Sequence, residues 1–340
     1  MPDPLLQQAL AAASSSPGAL TDEQAVALLG ADGDDLEALA ALADDLRRRR
    51  VGDAVTFVVN RNLDGTRVGA DPAHVRELVA EAVQLGATEV CVQGPVPAQA
   101  GPEGYLDLVR AVTAGAGTPG VHLHAFRVPE VLDAAARRGS TPRDFLVAAR
   151  EAGLGSVPGT AAKVLDDAVR AELNGGVPDL PVATWVEVLR TAHEVGLTST
   201  STLVHGGPET PAQQVAHLRL LADVAASTGG VTEFIAMPSP LSPPSARATR
   251  ALHAVARLLL DGSVDHVQAA WPKHPVDLVA DLLRGGADDL GGLLLDGTLD
   301  PAAGQEAGTT LTREAAAALA ERVGRPLRQR TTRYGDLAPA

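Results

Sequence analysis

The chain has 340 residues, of which 45% are apolar and only 2% aromatic, and its formal net charge is −14. This length allows one large α/β domain or two ordinary ones, with a core made mostly of Ala, Val and Leu. An acidic chain with no offsetting cluster of Lys and Arg does not follow a phosphate backbone, which argues against nucleic acid as a partner.

The first residues, MPDPLLQQALAAASSS, lack the basic start of a signal peptide, and no apolar run reaches membrane-spanning length. The sequence therefore predicts a cytoplasmic protein without a membrane partner. The single cysteine, Cys91, excludes a disulfide within the chain and a thiolate-ligated cluster or zinc site built from this chain alone. Because Cys91 lies in the apolar run TEVCV, we expect a small buried hydrophobe there.

Residues 1–50 predict an N-terminal helical segment. Residues 1–20 are rich in Ala, Ser and Gln and indicate a loose helix or a disordered lead-in. Thr21 followed by Gln24 matches a helix-capping box. A longer helix is expected from Asp34 to about Arg50, because its apolar residues recur at helical spacing and RRRR ends it, where cations suit the helix dipole.

From residue 51 the pattern changes to alternating strands and helices. Strands are expected at 55–60, 88–93, 120–126, 154–159, 197–204 and 231–237, with helices at 72–85, 103–114, 129–152 (in two pieces), 160–172, 183–195 and 211–228. Six such units predict an α/β fold, a TIM-like (β/α) partial or complete barrel over residues 51–262. The alternative, a doubly wound open sheet, lacks its G-x-G-x-x-G turn after the first strand.

Residues 263–340 predict a C-terminal extension packed on the barrel. Within it, VDHVQAAW (264–271) has a strand pattern and GGADDLGG (285–292) is a Gly-rich loop. LTREAAAALAERVG (311–324) predicts a final helix that Thr312 can cap. The sequence shows no solenoid repeat and no clean linker, so one domain is expected.

In such a barrel, side chains at the C-terminal ends of the strands face the site. We expect a small molecule in this mouth, bound by Asn60, Asn62, Gln93, Gly94, Thr160, Ser199, Ser201, Trp271, Lys273 and Asp288. Ser199 and Ser201 belong to the hydroxyl-rich TSTST, which either bonds a polyol or carboxylate or bonds the backbone. Asp288 and Asp289 either bind a cation or substrate hydroxyl, or are solvated turn residues.

His122 and His124 lie two residues apart in one predicted strand, so their imidazoles share one face. With Glu233 or His205 they could form a metal site, but no complete metal motif is present. We favour one buried, hydrogen-bonded histidine and one that lines a pocket, with no metal. The same four residues are the candidates for acid–base catalysis, although the sequence assigns no catalytic role to any of them.

Several segments, taken in order, resemble one family. They include VGDAVTFVVNRN, GATEVCVQG, HLHAF, VPGTAAKVLDD, TSTSTL, TGGVTEF, GGADDLGG and GRPLRQRTTRYG. The chain resembles the tyrosine-dependent half of FO synthase from about residue 20 to residue 335, and futalosine enzymes of the menaquinone pathway are cousins. The resemblance implies a radical S-adenosylmethionine barrel that builds the deazaflavin chromophore FO from L-tyrosine and 5-amino-6-(ribitylamino)uracil.

The segment after the first strand departs from the family. There the strand ending in N-R-N is followed by C-x-x-x-C-x-x-C, whose thiolates hold an iron–sulfur cluster with an open iron for S-adenosylmethionine. Here the loop is LDGTRVGADP (63–72), which is shorter and has no cysteine. We therefore expect no iron–sulfur cluster and assign no cofactor.

Two further departures argue against binding of S-adenosylmethionine. The family's Q-G-G reads Gln93-Gly94-Pro95, and the proline lacks an N–H that could meet the cofactor's carboxylate. The family's G-T-A-A-E ends in Lys163, which reverses the charge of an acid expected to contact the cofactor.

Scaffold segments match the family while site segments differ, and three hypotheses follow. The first is a cluster-less pseudoenzyme that binds a small molecule or a pathway protein in or near deazaflavin cofactor metabolism. The second is a different, non-redox enzyme that uses barrel-mouth His, Glu and Asp residues. The third is retained FO synthase activity, against which stands the missing electron source for cleaving the sulfonium.

Overall fold

The computed structural model describes residues 3–118, 120–240, 242–295 and 309–337. Within them, ten parallel strands form one sheet. The strands are β1 (Val55–Val58), β2 (Asn60–Asp64), β3 (Glu89–Gln93), β4 (His122–Ala125), β5 (Leu154–Val157), β6 (Thr198–His205), β7 (Val231–Pro238), β8 (Val267–Gln268), β9 (Asp289–Gly292) and β10 (Leu327–Gln329).

The order of the strands across the sheet is β10-β1-β9-β8-β7-β6-β5-β4-β3-β2. β2 stands at one end of this order and β1 stands next to the other end, although only Val59 separates them along the chain. The sheet must therefore curl until these two regions meet. The curl makes the sheet the TIM-like partial barrel that the sequence predicts, and it rules out the doubly wound open sheet.

Helices cover the outside of the sheet. They are α1 (Pro4–Ser15), α2 (Asp22–Leu29), α3 (Gly33–Val51), α4 (Gly65–Val68), α5 (Pro72–Gln84), α6 (Gly104–Ala116), α7 (Val128–Arg138), α8 (Pro142–Ala152), α9 (Asp167–Leu173), α10 (Val182–Glu194), α11 (Pro211–Thr228), α12 (Ala246–Leu259), α13 (Val276–Arg284) and α14 (Arg313–Arg322). Short 3-10 turns lie at Pro17–Ala19, Ala98–Ala100, Thr160–Ala162 and Trp271–Lys273. In the part of the chain that the structure describes, no helix combines the length and apolar character needed to cross a bilayer.

Local sequence explains where many helices begin. Thr21, Thr141 and Thr210 each accept the backbone N–H of the third helical residue, whose side chain bonds back to the threonine N–H. The capping box predicted at Thr21 is confirmed, and Thr312 caps α14 as predicted. These caps satisfy backbone donors that the first helical turn leaves without partners.

The core between sheet and helices is mainly Ala, Val and Leu. The few aromatic residues are concentrated in it: the rings of Tyr105, Phe126 and Phe145 pack together with centroids 5.2, 6.2 and 5.9 Å apart. Such clusters add specific ring–ring attraction to the burial of apolar area. The packing of α6 and α8 beside the end of β4 therefore does not depend on small side chains alone.

Three parts of the chain differ in detail from the sequence-based expectation. Residues 4–15 form a helix, α1, that buries four apolar side chains. Of the two alternatives for residues 1–20, a helix or a disordered lead-in, the structure shows the helix. The range 160–172 is a 3-10 turn followed by α9, because Lys163 takes a left-handed φ of 48° that interrupts a helix. The segment beyond residue 262 supplies β8, β9 and β10, which are strands of the same sheet.

The segment after β10 closes the bottom of the barrel. After β10, alternate side chains point inward, and these are Arg330, Thr332 and Tyr334. Each donates to a buried acid near the N-terminal end of a strand, and the acids are Asp289, Glu89 and Glu233, respectively. We call these six residues the floor network. It ties the last described segment to β3, β7 and β9 at once.

Candidate functional site

A cavity lies inside the curled sheet and runs from the floor network to the C-terminal ends of the strands. Because side chains alternate along a strand, every second residue of several strands faces it. On three strands the lining residues follow this alternation: Asn60 and Asn62 on β2, Glu89, Cys91 and Gln93 on β3, and Glu233, Ile235 and Met237 on β7.

Part of the predicted site lies on this wall. The predicted residues that line the cavity are Asn60, Asn62, Gln93, His124, Thr160, Glu233 and Lys273. Asn60 is held from both sides: its Oδ1 accepts the backbone N–H of Leu294 at 3.2 Å, and its Nδ2 donates to Asn62 Oδ1 at 3.3 Å. This amide pair is therefore oriented before any ligand arrives.

Strand β6 presents a different face from the one expected. Ser199 Oγ bonds the imidazole of His193 at 2.9 Å, and Ser201 Oγ donates to the backbone carbonyl of Glu233 at 2.8 Å. Neither hydroxyl faces the cavity, whereas Thr200, between them, lines it. The prediction of Ser199 and Ser201 as ligand-binding residues is therefore corrected: their hydroxyls bond within the fold, and Thr200 faces the cavity.

Three other predicted residues also lie outside the cavity wall. Asp288 is 1% exposed and pairs with Arg257 at 2.6 Å and with His266 at 2.7 Å, so it is neither a solvated turn residue nor open to a ligand. Trp271 donates its indole N–H to a backbone carbonyl of β9 at 2.8 Å. Gly94 takes a left-handed φ of 83° in the turn after β3. All three serve the local fold.

The predicted histidines do not converge on one point. His124 lines the cavity and His122 lies behind it, with Ser156 Oγ bridging the two imidazoles at 2.6 and 2.7 Å. His205 is buried at the end of β6 beside His253. Burial lowers the pKa of His122 to about 4 and that of His205 to about 3, so both imidazoles are neutral at pH 7.

Other lining residues escaped the sequence-based prediction. They are Glu89, Cys91, Thr200, Arg330 and Thr332. Strand alternation could have found two of them, because Glu89 and Cys91 lie four and two residues before the predicted Gln93. The sequence carried no signal for Arg330 and Thr332, which only the closed fold brings to the cavity.

Cys91 is not packed as a small hydrophobe. Its thiol donates to Glu89 Oε1 at 3.0 Å, and Glu89 Oε2 accepts the Thr332 hydroxyl at 2.5 Å. Burial, and after it the charge of Glu89, raises the pKa of the Cys91 thiol. Burial alone would raise the pKa of Glu89, but His124 and these two hydrogen bonds hold it below its usual range. The wall here is a carboxylate beside a neutral thiol.

Glu233 lies on the other side of the cavity floor. Three donors converge on its Oε2: the Tyr334 hydroxyl, Arg330 Nη2 at 3.4 Å and the Gln268 amide at 3.5 Å. Burial raises the pKa of Glu233 to about 7, against the lowering effect of Arg330. Arg330 itself is held by Asp289 at 2.5 Å. Glu233 is therefore the cavity acid that exchanges its proton near neutral pH.

The residues that follow β2 do not fit the iron–sulfur cluster that the resemblance implies. From Asp64 the chain turns directly into α4, and a β-carbon added at Gly65 would lie 2.8 Å from the carbonyl of Gly94. The one thiol, on Cys91, is hydrogen-bonded to Glu89. Within the described ranges no group of three His, Cys, Asp or Glu is placed to hold a metal ion. The three thiolates of such a cluster have no source in this chain.

Gly292 is required where β9 passes Asn60. A β-carbon there would lie 1.9 Å from Asn60 Oδ1. We expect Gly292→Ala to displace Asn60 and to lower the free energy of unfolding in urea by about 1–3 kcal/mol. Gly18→Ala is the matched control, because an added β-carbon there meets no atom beyond the neighbouring residues within 4 Å, and it should change the free energy of unfolding by less than about 0.5 kcal/mol. Equal stability of the two variants would contradict this close packing.

Comparison with curated proteins finds relatives over nearly the whole chain, although no family model matches. The chain is 44% identical to the FO synthase of Mycobacterium tuberculosis over 362 residues, covering 97% of this chain and 42% of that protein. It is 35% identical over 322 residues to the 5-amino-6-(D-ribitylamino)uracil–L-tyrosine 4-hydroxyphenyl transferase of Archaeoglobus fulgidus, covering 87% of this chain and 92% of that protein.

Solved structures share the fold at low sequence identity. HydG, a maturase of the [FeFe]-hydrogenase, matches with a TM-score of 0.69 and 13% identity over 95% of this chain and 75% of its own. Methylornithine synthase (PylB) matches with a TM-score of 0.64 and 16% identity over 95% and 97%. The fold and its internal cavity thus define a TIM-like partial barrel, the architecture that HydG and methylornithine synthase share. With the relatives above, the chain belongs to the FO synthase family.

The chain matches different shares of the two relatives' lengths. The chain spans less than half the length of the mycobacterial relative and nearly the whole length of the archaeal one. The family predicted from the sequence segments is confirmed. The alignment with the mycobacterial protein is 362 residues long while this chain has 340, so that relative carries residues without a counterpart here.

Proposed function

We propose that this chain is a cluster-less member of its family, which binds a small molecule in the cavity and carries out no radical S-adenosylmethionine chemistry. The observation that carries this proposal is the donor set: the one cysteine is a neutral thiol bonded to Glu89, where a cluster needs three thiolates.

The surroundings of Lys163 support the same proposal. Lys163 stands where the resemblance implies an acid that contacts S-adenosylmethionine, and its ammonium pairs with Asp179 at 2.8 Å. Pro95, at the end of the turn after β3, offers no backbone N–H. Both features remove contacts that the cofactor's amino acid end would need. Binding to a pathway protein stays a prediction.

The cavity wall favours a pyrimidine that carries a polyol. Its neutral polar side chains are amides and hydroxyls: Asn60, Asn62, Gln93, Thr160, Thr200, Gln268 and Thr332. Such groups both donate and accept hydrogen bonds, as the hydroxyls of a sugar alcohol require. The name of the archaeal relative gives 5-amino-6-(D-ribitylamino)uracil and L-tyrosine. The first has the polyol and the ring nitrogens that suit this wall, and we infer that it is the ligand.

Calorimetric titration of the purified protein with 5-amino-6-(D-ribitylamino)uracil under anaerobic conditions tests the binding. We expect binding to wild type and at least about tenfold weaker binding to Asn62→Leu, because a buried polar group of the ligand then loses its partner. Ser199→Ala is the matched control: its hydroxyl faces away from the cavity, so its affinity should equal that of wild type. Equal affinity of all three proteins, or binding of L-tyrosine alone, would contradict the proposed ligand.

Anaerobic reconstitution with iron and sulfide tests the absence of the cluster. We expect wild type and Cys91→Ser to retain the same background of iron, because Cys91 alone cannot hold a cluster. Neither should form 5′-deoxyadenosine from S-adenosylmethionine with a reductant. The archaeal relative, treated in parallel, shows whether the procedure works. Iron held only by wild type, together with 5′-deoxyadenosine, would favour retained FO synthase activity instead.

A further inference from the structure

We propose that Glu233 makes ligand binding in the cavity depend on a proton: its carboxylate accepts a hydrogen bond from a nitrogen of the ligand, and its protonation weakens binding. This inference rests on the proposed function, because it concerns the same cavity and the same ligand. It adds a recognition residue at the floor and a dependence on pH.

The two oxygens of Glu233 have different surroundings. Oε2 receives the hydroxyl of Tyr334, the guanidinium of Arg330 and the amide of Gln268. For Oε1, no donor is found in residues 3–118, 120–240, 242–295 or 309–337. Glu233 is 7% exposed and lines the cavity. One oxygen is thus anchored to the floor network, and the other is left for whatever occupies the cavity.

The hydrogen-bond donors around Glu233 favour its charged carboxylate form when the ligand is bound. Every group that bonds Oε2 is a donor, and a ligand donor on Oε1 would give the second oxygen of the carboxylate a hydrogen bond as well. A buried carboxyl without enough donors is costly when charged, which favours its protonated form in the empty cavity. A ligand N–H that donates to Oε1 therefore shifts the equilibrium towards the carboxylate.

The charged and titratable groups around Glu233 come from three elements. The segment after β10 supplies Arg330 and Tyr334, β9 supplies Asp289, and β3 supplies Glu89 and Cys91. Asp289 and Arg330 pair with each other at 2.5 Å and largely cancel. Glu89, whose pKa lies below its usual range, stays charged through the neutral region and does not add a second titration there.

The sign of the pH dependence follows from these contacts. The pKa of Glu233 in the empty protein is about 7, raised by burial. Below that pH the empty protein must release one proton when the ligand binds. The apparent affinity should therefore fall about tenfold per pH unit below pH 7 and level off above it.

The experiment is a series of calorimetric titrations with 5-amino-6-(D-ribitylamino)uracil from pH 6 to 8.5, in buffers with different ionisation enthalpies. Wild type should bind about tenfold more weakly at pH 6 than at pH 8 and release close to one proton at pH 6. Glu233→Gln should show no such change. Glu37→Gln, on the exposed face of α3, is the matched control and should keep the wild-type profile.

Each outcome decides a different point. No binding at any pH would overturn the proposed function and this linkage with it. Binding whose pH profile persists in Glu233→Gln would overturn only the linkage, because the ligand or another group would then titrate. Affinity that rises as the pH falls would show that the protonated acid binds, which also contradicts the proposal. Infrared difference spectra between pH 6 and 8 should show a protonated carboxyl band in wild type that Glu233→Gln lacks.

Discussion

Replacing Arg330 with methionine should lower the free energy of unfolding by about 3–5 kcal/mol, because it strands buried acids without their cation. The Arg330 side chain is 2% exposed, and its Nε and Nη2 bond Asp289 at 2.5 and 2.8 Å. Its guanidinium carbon also lies 3.9 Å from the ring centroid of Tyr334. The substitution keeps much of the apolar stem but removes the charge, the bidentate pair and the stacking together. Urea denaturation at pH 7.5 measures the loss.

A neighbouring arginine provides the matched control. Arg328 lies two residues earlier, and its pair with Asp336 at 2.7 Å joins side chains that are 39% and 87% exposed. Arg328→Met should therefore cost less than about 1 kcal/mol. Adding Asp289→Leu to Arg330→Met should restore part of the lost stability, because the acid that Arg330 bonds through two nitrogens is then no longer left as an unpaired buried charge. Similar small losses for both arginine variants would show that the floor network contributes little to the fold.

The sequence predicts those parts of the fold that depend on local sequence patterns. Apolar runs followed by amphipathic helices give the barrel, and Thr21 and Thr312 mark helix starts through their caps. The floor network could not be predicted from local sequence patterns. Thr332 and Glu89 are 243 positions apart, and β8 and β10 have only two and three residues, too few for a periodic signal. Only the curled sheet brings them together.

For the cavity, too, some lining residues could be predicted from the sequence and others could not. The polar set on β2 and β3 follows from strand alternation once the inward face is known. On β6 the choice of face was reversed, because a shift of one residue moves every side chain to the other side of the sheet, and TSTST is polar on both faces. The prediction of Asp288 as a ligand-binding or solvated residue failed for another reason. Its Gly-rich sequence surroundings indicated a solvated loop, yet the fold buries its carboxylate against Arg257.

The protein should unfold in mild acid, with a midpoint between about pH 4 and pH 5.5. Burial lowers the pKa of six histidines to about 3 or 4. His274 is the least buried of them, and the slope is taken from the other five: His122, His193, His205, His217 and His253. Below pH 6.5 the unfolded chain binds protons that these imidazoles do not bind in the fold, so each removes about 1.4 kcal/mol of stability per pH unit. Their stabilising effect is complete above pH 6.5 and is lost towards pH 4.

Glu233 acts in the opposite direction, because its raised pKa of about 7 adds stability as the pH falls from 7 to about 4.5. One such acid offsets about one of the five histidines, so the net loss is about 5–6 kcal/mol per pH unit. A domain holds about 5–15 kcal/mol in total, so one to three pH units suffice to unfold it.

Circular dichroism during urea unfolding at pH 7.5, 6.5 and 5.5 measures this slope. His217→Asn should reduce it by about 1.4 kcal/mol per pH unit, because it removes one of the five imidazoles and an amide oxygen can still accept the Leu165 N–H that now bonds His217. His217 is fully buried, so it tests the desolvation effect directly. A free energy of unfolding that is the same at pH 7.5 and 5.5 would mean that these imidazoles gain protons inside the fold, and hence that water or a counter-charge reaches them.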